Sequence, residues 1–181
     1  MQLRPHQQEA LAAMLANAKG QVIVPTGGGK TMCMIKDSLE YLDACDRGIV
    51  VVVAPRILLA EQLSAEFLEF HTDVAVMHVH SGETHHFSST KPEQIHLFAN
   101  TARTAGENVI IFTTYNSLDR IRQADIEVNN IYFDEAHNSV KRNFFPATEH
   151  FSTFADRCYF FTATPKHSAT VMKPGMNDRE V

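Results

Sequence analysis

The glycine-rich stretch VPTGGGKT, residues 24–31, constrains the fold of this 181-residue chain more than any other segment. It follows a short apolar run that predicts a buried strand, and it opens a helical pattern that begins at Thr31. Three consecutive glycines allow the backbone N–H groups to approach an anion closely. A helix N-terminus placed behind them also favours negative charge. The pattern therefore predicts a strand, a phosphate-binding loop and a helix.

Lys30 and Thr31 provide the polar side chains that such a loop needs. The Lys30 ammonium would reach the β- and γ-phosphates of a nucleotide, and the Thr31 hydroxyl would ligate Mg²⁺. The general pattern has glycine where this chain has Val24, so the match is incomplete. A glycine-rich turn that happens to precede a lysine is the alternative interpretation, and the flanking strand and helix argue against it.

Apolar runs alternate with helical patterns along the whole chain. The run at residues 48–54 has no polar alternation, which is typical of a strand buried on both faces of a parallel sheet. The fold class is therefore predicted to be α/β, with a doubly wound, mostly parallel sheet and helices on both faces. The predicted strands are residues 21–24, 48–54, 74–79, 109–113, 130–134 and 158–162; the predicted helices are residues 5–18, 31–44, 57–68, 92–105, 115–123 and 145–154.

Length and composition indicate one domain, because 181 residues with 44% hydrophobic side chains can build one sizeable core. We expect that domain to span residues 1–165, followed by a loosely organised tail, residues 166–181. No apolar run has the length of a membrane span, and the N-terminus lacks a secretory signal, so we expect an intracellular, cytoplasmic protein without a membrane partner; a nucleus or a virus-infected cell stays open. The net charge of −5 neither requires nor excludes a nucleic-acid partner.

The sequence Asp134-Glu135-Ala136-His137 stands directly at the end of the fifth predicted strand. Two adjacent carboxylates at the end of a buried strand cost desolvation energy unless a metal ion or a proton transfer uses them. We assign Asp134 to Mg²⁺, through its water shell, and Glu135 to the role of general base. A solvated loop that contains two acids is the alternative, and the upstream phosphate loop disfavours it.

With these motifs the chain resembles the first RecA-like domain of a superfamily 2 DEAH-type helicase or translocase, near the branch of restriction-enzyme motors and excision-repair helicases. Residues 25–31 match motif I of that family, residues 134–137 match motif II, and residues 161–165 match motif III. The resemblance implies an ATP-dependent motor that requires Mg²⁺ and acts on nucleic acid through the phosphate backbone. DNA is the favoured substrate and RNA is the alternative.

The resemblance also implies roles for individual residues. A surface role for Gln7, beside Gln8, and helix capping by Thr114 and Asn116 are the alternatives that the residues themselves leave open. The implied nucleotide-binding residues are Arg4, Gln7, Pro25, Thr26, Gly27, Gly28, Gly29, Lys30 and Thr31. The implied catalytic residues are Lys30, Asp134 and Glu135, and the implied Mg²⁺ ligands are Thr31 and Asp134. The implied coupling residues are His137, Thr162 and Thr164, and the implied nucleic-acid contacts are Arg56, Thr113, Thr114 and Asn116.

A complete motor of this family has a second RecA-like domain that carries arginines for the γ-phosphate, and the chain ends shortly after motif III. We therefore expect half a motor, a monomer by itself, whose second domain is supplied in cis or in trans. The alternatives are an idle nucleotide-binding or interaction module with the same fold, and a small-molecule P-loop kinase. The four intact residues Lys30, Thr31, Asp134 and Glu135 disfavour the idle module, and the absence of an arginine-rich lid pattern disfavours the kinase.

The histidines and cysteines suggest little further chemistry at this level. Cys33, Cys45 and Cys158 are widely spaced, which disfavours a disulfide framework or a thiolate zinc site. His78 and His80 share one face of a predicted strand, so a metal site can be drawn there. Because neither cysteine nor clustered acids stand nearby in the sequence, surface and strand-end histidines are the favoured interpretation.

Overall fold

The computed structural model describes residues 3–23, 29–44, 47–139 and 141–162. Strands and helices alternate along most of this part of the chain. The helices are α1 (Pro5–Ala16), α2 (Lys30–Ala44), α3 (Ile57–Leu68), α4 (Pro92–Thr104), α5 (Leu118–Gln123) and α6 (Phe145–Phe154), with a 3₁₀ turn at Ala136–Asn138. The strands are β1 (Lys19–Ile23), β2 (Ile49–Ala54), β3 (Val74–Val79), β4 (Phe87–Ser88), β5 (Asn108–Thr114), β6 (Asn130–Phe133) and β7 (Arg157–Thr162).

The seven strands form one sheet in the order β1-β7-β6-β2-β5-β3-β4, and each neighbouring pair is parallel. Parallel neighbours need crossover connections, and the helices provide them. The carboxyl ends of the strands consequently lie along one edge of the sheet, where ligands bind in such folds. The α/β, doubly wound fold class predicted from the sequence is confirmed.

Two hydrophobic clusters cover the two faces of the sheet, and β2 shows why the sequence lacks alternation. Val51 and Val53 face the cluster formed with α4, α5 and α6, whereas Val50 and Val52 face the cluster formed with α1, α2 and α3. All six residues of β2 are buried. Burial of one such valine stabilises the fold by about 1.5 to 3 kcal/mol, so a polar substitution on either face of β2 would be costly.

A buried ionic network fixes α2 against the sheet. Asp37 of α2 accepts a hydrogen bond from the Tyr132 hydroxyl of β6 at 2.5 Å and pairs with the Arg157 guanidinium at 2.5 Å. Burial raises the pKa of Asp37, while Tyr132 and Arg157 act in the opposite direction. Arg157 and Tyr159 also donate to the Met14 carbonyl at the end of α1, at 3.1 and 2.6 Å. The network thereby sets the position of α2, which begins at Lys30, relative to β6.

Three local features differ from the sequence-based expectations. Strand β4 was not predicted, because two exposed residues carry no detectable alternation. Helix α1 ends at Ala16, two residues earlier than expected, because Lys19 and Gly20 already pair with β7. Helix α5 begins at Leu118 rather than at residue 115, because residues 114–117 form a turn closed by the Ser117 N–H and the Thr114 carbonyl. No helix in the described ranges has the length and apolar composition that crossing a membrane would require.

Candidate active site

The first residue of α2 meets the two acids that follow β6. The Nζ atom of Lys30 lies 3.0 Å from Oδ1 of Asp134 and forms a short ion pair with Oε1 of Glu135. These residues are more than a hundred positions apart in the sequence, and the parallel sheet brings them together because both follow strand ends at one edge. The three residues predicted to be catalytic therefore form one cluster.

Burial and charge act against each other in this cluster. Burial alone would lower the pKa of Lys30, but the hydrogen bond from Lys30 to Glu135 and the charges of Asp134 and Glu135 raise it overall. Burial raises the pKa of Asp134, and the neighbouring Lys30 ammonium only partly opposes that effect. The lysine therefore stays protonated at neutral pH, with a positive charge that phosphate oxygens could use.

The backbone of Asp134 is held on both sides. Its N–H donates to the Val53 carbonyl of β2 at 2.8 Å, and its carbonyl accepts a hydrogen bond from the buried Tyr115 hydroxyl at 2.7 Å. The buried Oδ1 of its side chain has the Lys30 ammonium 3.0 Å away, but no donor among the described residues meets it with good hydrogen-bond geometry. A carboxylate oxygen in that situation fits a hard cation such as Mg²⁺, and Thr31 lines the same cleft.

Glu135 adopts the left-handed backbone conformation, with φ 49° and ψ 58°. A residue with a Cβ atom pays about 1 to 3 kcal/mol for such a conformation, and local contacts must hold it there. Asn138 provides them, since both its backbone N–H (3.1 Å) and its side-chain amide (2.9 Å) donate to the Glu135 carbonyl. The bend brings the Glu135 carboxylate back to Lys30, at 37% side-chain exposure.

Gln7 lies against the end of the phosphate-loop segment. Its side-chain amide donates to the Gly29 carbonyl at 3.2 Å, and its Oε1 atom accepts the Arg4 backbone N–H at 2.8 Å. Gly29 has a φ of 77°, and a Cβ atom there would lie 1.8 Å from the Gln7 amide nitrogen. Gln7, one of the implied nucleotide-binding residues, therefore adjoins Gly29, and the positive φ of Gly29 is a conformation that favours glycine.

A cleft of about 450 Å³ contains six of the predicted site residues: Lys30, Thr31, Arg56, Asp134, Glu135 and His137. Lys30 and Thr31 line it from α2, and Arg56 lines it from the start of α3. Leu59 and Glu66 of α3 also line it, and sequence reasoning had not assigned them, because a helix surface residue carries no signal of the cleft that it faces. The full lining is Lys30, Thr31, Pro55, Arg56, Leu59, Gln62, Leu63, Glu66, Asp134, Glu135, His137 and Asn138.

The predicted coupling residues occupy different environments. His137 is half-exposed, with Nδ1 3.8 Å from Oε2 of Glu135 and Nε2 3.4 Å from the Asn138 amide nitrogen. Thr162 is buried at the end of β7, opposite Ile23 of β1. Pro25, Thr26, Gly27, Gly28 and Thr164 lie outside the described residues.

A second cleft, of about 270 Å³, lies beside the first, and Pro55 and Arg56 line both clefts. Thr114 and Asn116, two of the predicted nucleic-acid contacts, line it together with Arg56. Thr113 does not: it is fully buried in β5, and its hydroxyl donates to the Val79 carbonyl at 2.8 Å. A threonine at the end of a strand can point either way, and here the neighbouring strand satisfies the hydroxyl.

Tyr115 is the residue of this region whose role the sequence did not indicate. Its ring is buried and stacks against Phe133 and Phe144, and its backbone N–H donates to the Ala54 carbonyl at 3.2 Å. Through its hydroxyl it also holds the Asp134 carbonyl. A tyrosine directly after two threonines gives no sequence signal that its hydroxyl reaches another strand.

A protein-family comparison matches residues 1–167 to the family described as "Type III restriction enzyme, res subunit". Among curated proteins, the mouse (Mus musculus) ATP-dependent RNA helicase DHX58 is 37% identical over 67 residues, which is 37% of this chain and 10% of that protein. The chain thus spans a small part of that relative's length.

Several solved structures share the fold. A nuclease-deletion mutant of the Type ISP restriction-modification enzyme LlaGI, in complex with a DNA substrate mimic, aligns with a TM-score of 0.76 and 24% identity over 98% of this chain and 19% of that chain. The Hef helicase domain of Pyrococcus furiosus aligns with a TM-score of 0.69 and 22% identity over 92% of this chain and 34% of that one. The UvsW helicase of bacteriophage T4 aligns with a TM-score of 0.68 and 12% identity over 91% and 53%.

Proposed function

The chain belongs to the family of type III restriction enzyme res subunits and is a RecA-like domain of the superfamily 2 helicases, and from this premise we propose that it is the ATP-binding and ATP-hydrolysing first motor domain of a DNA helicase or translocase. One observation carries the proposal. Lys30, Asp134 and Glu135 converge at the carboxyl edge of the sheet, in a cleft that Thr31 also lines.

Each residue of the cluster has a distinct task in the proposed reaction. Lys30 binds the β- and γ-phosphates, whose oxygens replace the carboxylates of Asp134 and Glu135 as partners of its ammonium group. Glu135 accepts a proton from the attacking water as general base. Thr31 and Asp134 would hold Mg²⁺, which when bound neutralises charge on the phosphates. The strained backbone at Glu135, held by Asn138, keeps the base next to the phosphate-binding lysine.

The second cleft is proposed to hold one nucleic-acid strand by its phosphates. Arg56, Thr114 and Asn116 offer a guanidinium, a hydroxyl and an amide, which suit contacts that do not depend on sequence. Because Arg56 lines both clefts, a nucleic acid bound in one lies beside the nucleotide bound in the other. DNA is favoured over RNA by the resemblance to restriction and repair motors, and the LlaGI structure is described as a complex with a DNA substrate mimic.

The proposed domain is residues 1–165, with residues 166–181 leading to a second RecA-like domain in cis or in trans. Its activity is tested by ATP turnover of the purified chain, measured with and without single-stranded and double-stranded DNA and RNA. Binding of Mg-ATP that Lys30→Ala weakens, together with any turnover that Glu135→Gln removes, supports the motor over an idle module. A chain that binds no nucleotide would overturn the proposal.

A further inference from the structure

A cluster of two histidines and one glutamate lies outside the proposed ATP site. The favoured interpretation was surface and strand-end histidines, and His78 of β3 and His80, one residue beyond that strand, do lie at a strand end but are buried rather than on the surface. Glu61 of α3 contacts both histidines from the face of the sheet. The sequence did not indicate this contact, because Glu61 is distant from the histidines along the chain. We propose that Glu61, His78 and His80 form a binding site for a divalent transition-metal ion, with Zn²⁺ the ion that fits best.

Two ring nitrogens and the two carboxylate oxygens of Glu61 have the spacing of ligands around a single small ion. Nδ1 of His78 lies 3.2 Å from Nε2 of His80, 3.7 Å separates it from Oε2 of Glu61, and 3.8 Å separates Nε2 of His80 from Oε1 of Glu61. In a tetrahedral zinc site, bonds of about 2.0 to 2.1 Å place neighbouring donors about 3.3 Å apart. A zinc ion therefore fits between the two ring nitrogens and one Glu61 oxygen with small movements of the Glu61 side chain.

Hydrogen bonds orient the ring of His78. Its Nε2 atom lies 3.1 Å from the buried Ser64 hydroxyl, one turn along α3 from Glu61. A partner on the far nitrogen fixes a metal-binding imidazole and leaves the near nitrogen, here Nδ1, to the ion. Stacking of His86 at 5.1 Å holds the ring from one face. His78 is thereby held in one orientation inside the fold, with Nδ1 directed at the other two residues of the cluster.

Glu61 and His80 would gain most from a cation. Oε1 of Glu61 is buried and has no hydrogen-bond partner among the described residues. The Gly82 N–H donates to Nδ1 of His80 at 3.1 Å, which places the proton of neutral His80 on Nε2, facing the other donors. A cation at Nε2 replaces that proton, which moves through solvent to Nδ1, so that the imidazole stays neutral and the Gly82 N–H turns away. An ion on His80 would also tie α3 to the wall of the second cleft, which His80 and Ser81 line.

The site is tested by titrating the purified 181-residue chain with Zn²⁺ in the absence of nucleotide. The buffer contains excess Mg²⁺, which occupies sites that have only carboxylate ligands. We expect one tightly bound Zn²⁺ per chain. Glu61→Gln, which preserves shape, should weaken binding at least about tenfold, and His80→Asn should do the same. His85→Gln is the matched control, because His85 is an exposed histidine in the segment that follows β3. The Zn²⁺ affinity of this variant should equal that of the parent.

Co²⁺ provides a second measurement that does not depend on ATP chemistry. The parent chain should develop visible absorption bands of a low-symmetry, four- or five-coordinate ion, and Glu61→Gln should lose them while its circular dichroism stays unchanged. Unchanged Zn²⁺ affinity in both ligand variants, a thiolate charge-transfer band, or no Zn²⁺ binding by the parent would each overturn the assignment. Lys30→Ala should bind Zn²⁺ like the parent, which separates this site from the proposed motor function.

Discussion

The Lys30 ammonium lies between two carboxylates, and this pairing determines what substitutions in the cluster do. Asp134 is nearly buried, whereas Glu135 is more exposed and held in a left-handed backbone conformation. The motifs predicted these residues because acids and a glycine-rich loop at strand ends leave few other interpretations. They did not predict the hydrogen bond of the Tyr115 hydroxyl or the burial of the Thr113 hydroxyl, because the partners of side chains near the end of a strand come from neighbouring strands.

Lys30→Ala should weaken Mg-ATP binding by about 10-fold or more, since a charge-assisted hydrogen bond to phosphate contributes about 1.5 to 3 kcal/mol. The fold should stay intact, because the Lys30 side chain is partly exposed and alanine suits the start of a helix, but the melting temperature should fall because the buried Asp134 loses its charged partner. Calorimetric titration and thermal melting measure both. Lys36→Ala, on the same helix but outside the cleft lining, is the control. Equal affinity in Lys30→Ala and parent would contradict the phosphate role.

Glu135→Gln should leave Mg-ATP affinity close to that of the parent and lower hydrolysis by about 10² to 10⁴, because an amide cannot accept the proton of the attacking water. Single-turnover measurement with protein in excess gives the rate even when turnover is slow. Glu66→Gln, at another acid that lines the same cleft, should hydrolyse ATP like the parent. Parental hydrolysis in Glu135→Gln would show that a different group is the base.

The apolar pattern of the sequence defined most helices and strands. Central strands such as β2 are buried on both faces, and the helices are buried on one face. The bounds of α3, β3 and α6 agree with the sequence-based expectation to the residue. The two-residue strand β4 and the late start of α5 were missed, since pairing with β3 and a four-residue turn decide them and neither alters the apolar pattern. The contact of Glu61 with His78 likewise depends on the packing of α3 over the sheet.

Helix α2 depends on the ionic network for its position, so Asp37→Asn should destabilise the fold. Removing one charge of a buried pair leaves Arg157 uncompensated and costs about 3 to 5 kcal/mol. Chemical denaturation gives the change in the free energy of unfolding. Asp119→Asn removes a comparable but exposed pair with Arg122 and should cost less than about 1 kcal/mol. Similar losses in the two variants would show that burial of the Asp37 pair is not decisive.

The turn after β5 and the start of α3 form the second cleft, so nucleic-acid binding there should be weak, salt-dependent and indifferent to sequence. Arg56→Ala should lower affinity for all sequences and reduce the slope of log affinity against log salt by about 1. Fluorescence anisotropy over a range of salt concentrations measures this slope. Arg103→Ala, on α4 away from the cleft, should leave it unchanged. Tight, sequence-selective binding that resists salt would argue against phosphate contacts.

For the whole molecule, the inventory of arginines sets the expected activity. None of the nine arginines in the sequence lies in a segment that resembles the family's arginine-bearing motif. An arginine that stabilises charge on the transferred phosphate contributes about 10³ to 10⁵ to the rate. Residues 1–181 should therefore bind Mg-ATP, hydrolyse it very slowly, respond little to nucleic acid and unwind nothing.

Steady-state turnover at several protein concentrations checks this expectation. A rate per chain that rises with concentration would indicate that a neighbouring copy supplies the arginine. Fast, nucleic-acid-stimulated turnover that is independent of concentration would refute the half-motor interpretation. Addition of a second RecA-like domain from a longer parent chain should restore stimulated turnover.

The sheet order has a consequence for how the protein is made. Strand β1, near the start of the chain, pairs with β7, near its end, through partners such as Lys19 and Cys158. During synthesis at about 5 to 20 residues per second, β1 and the loop after it must wait on the order of 10 s before their partner strand exists. Strands β2, β3 and β5 can pair before then. Strand β1 thus lacks its partner while the strands between it and β7 are made, and its place in the sheet is decided only after β7 has been synthesised.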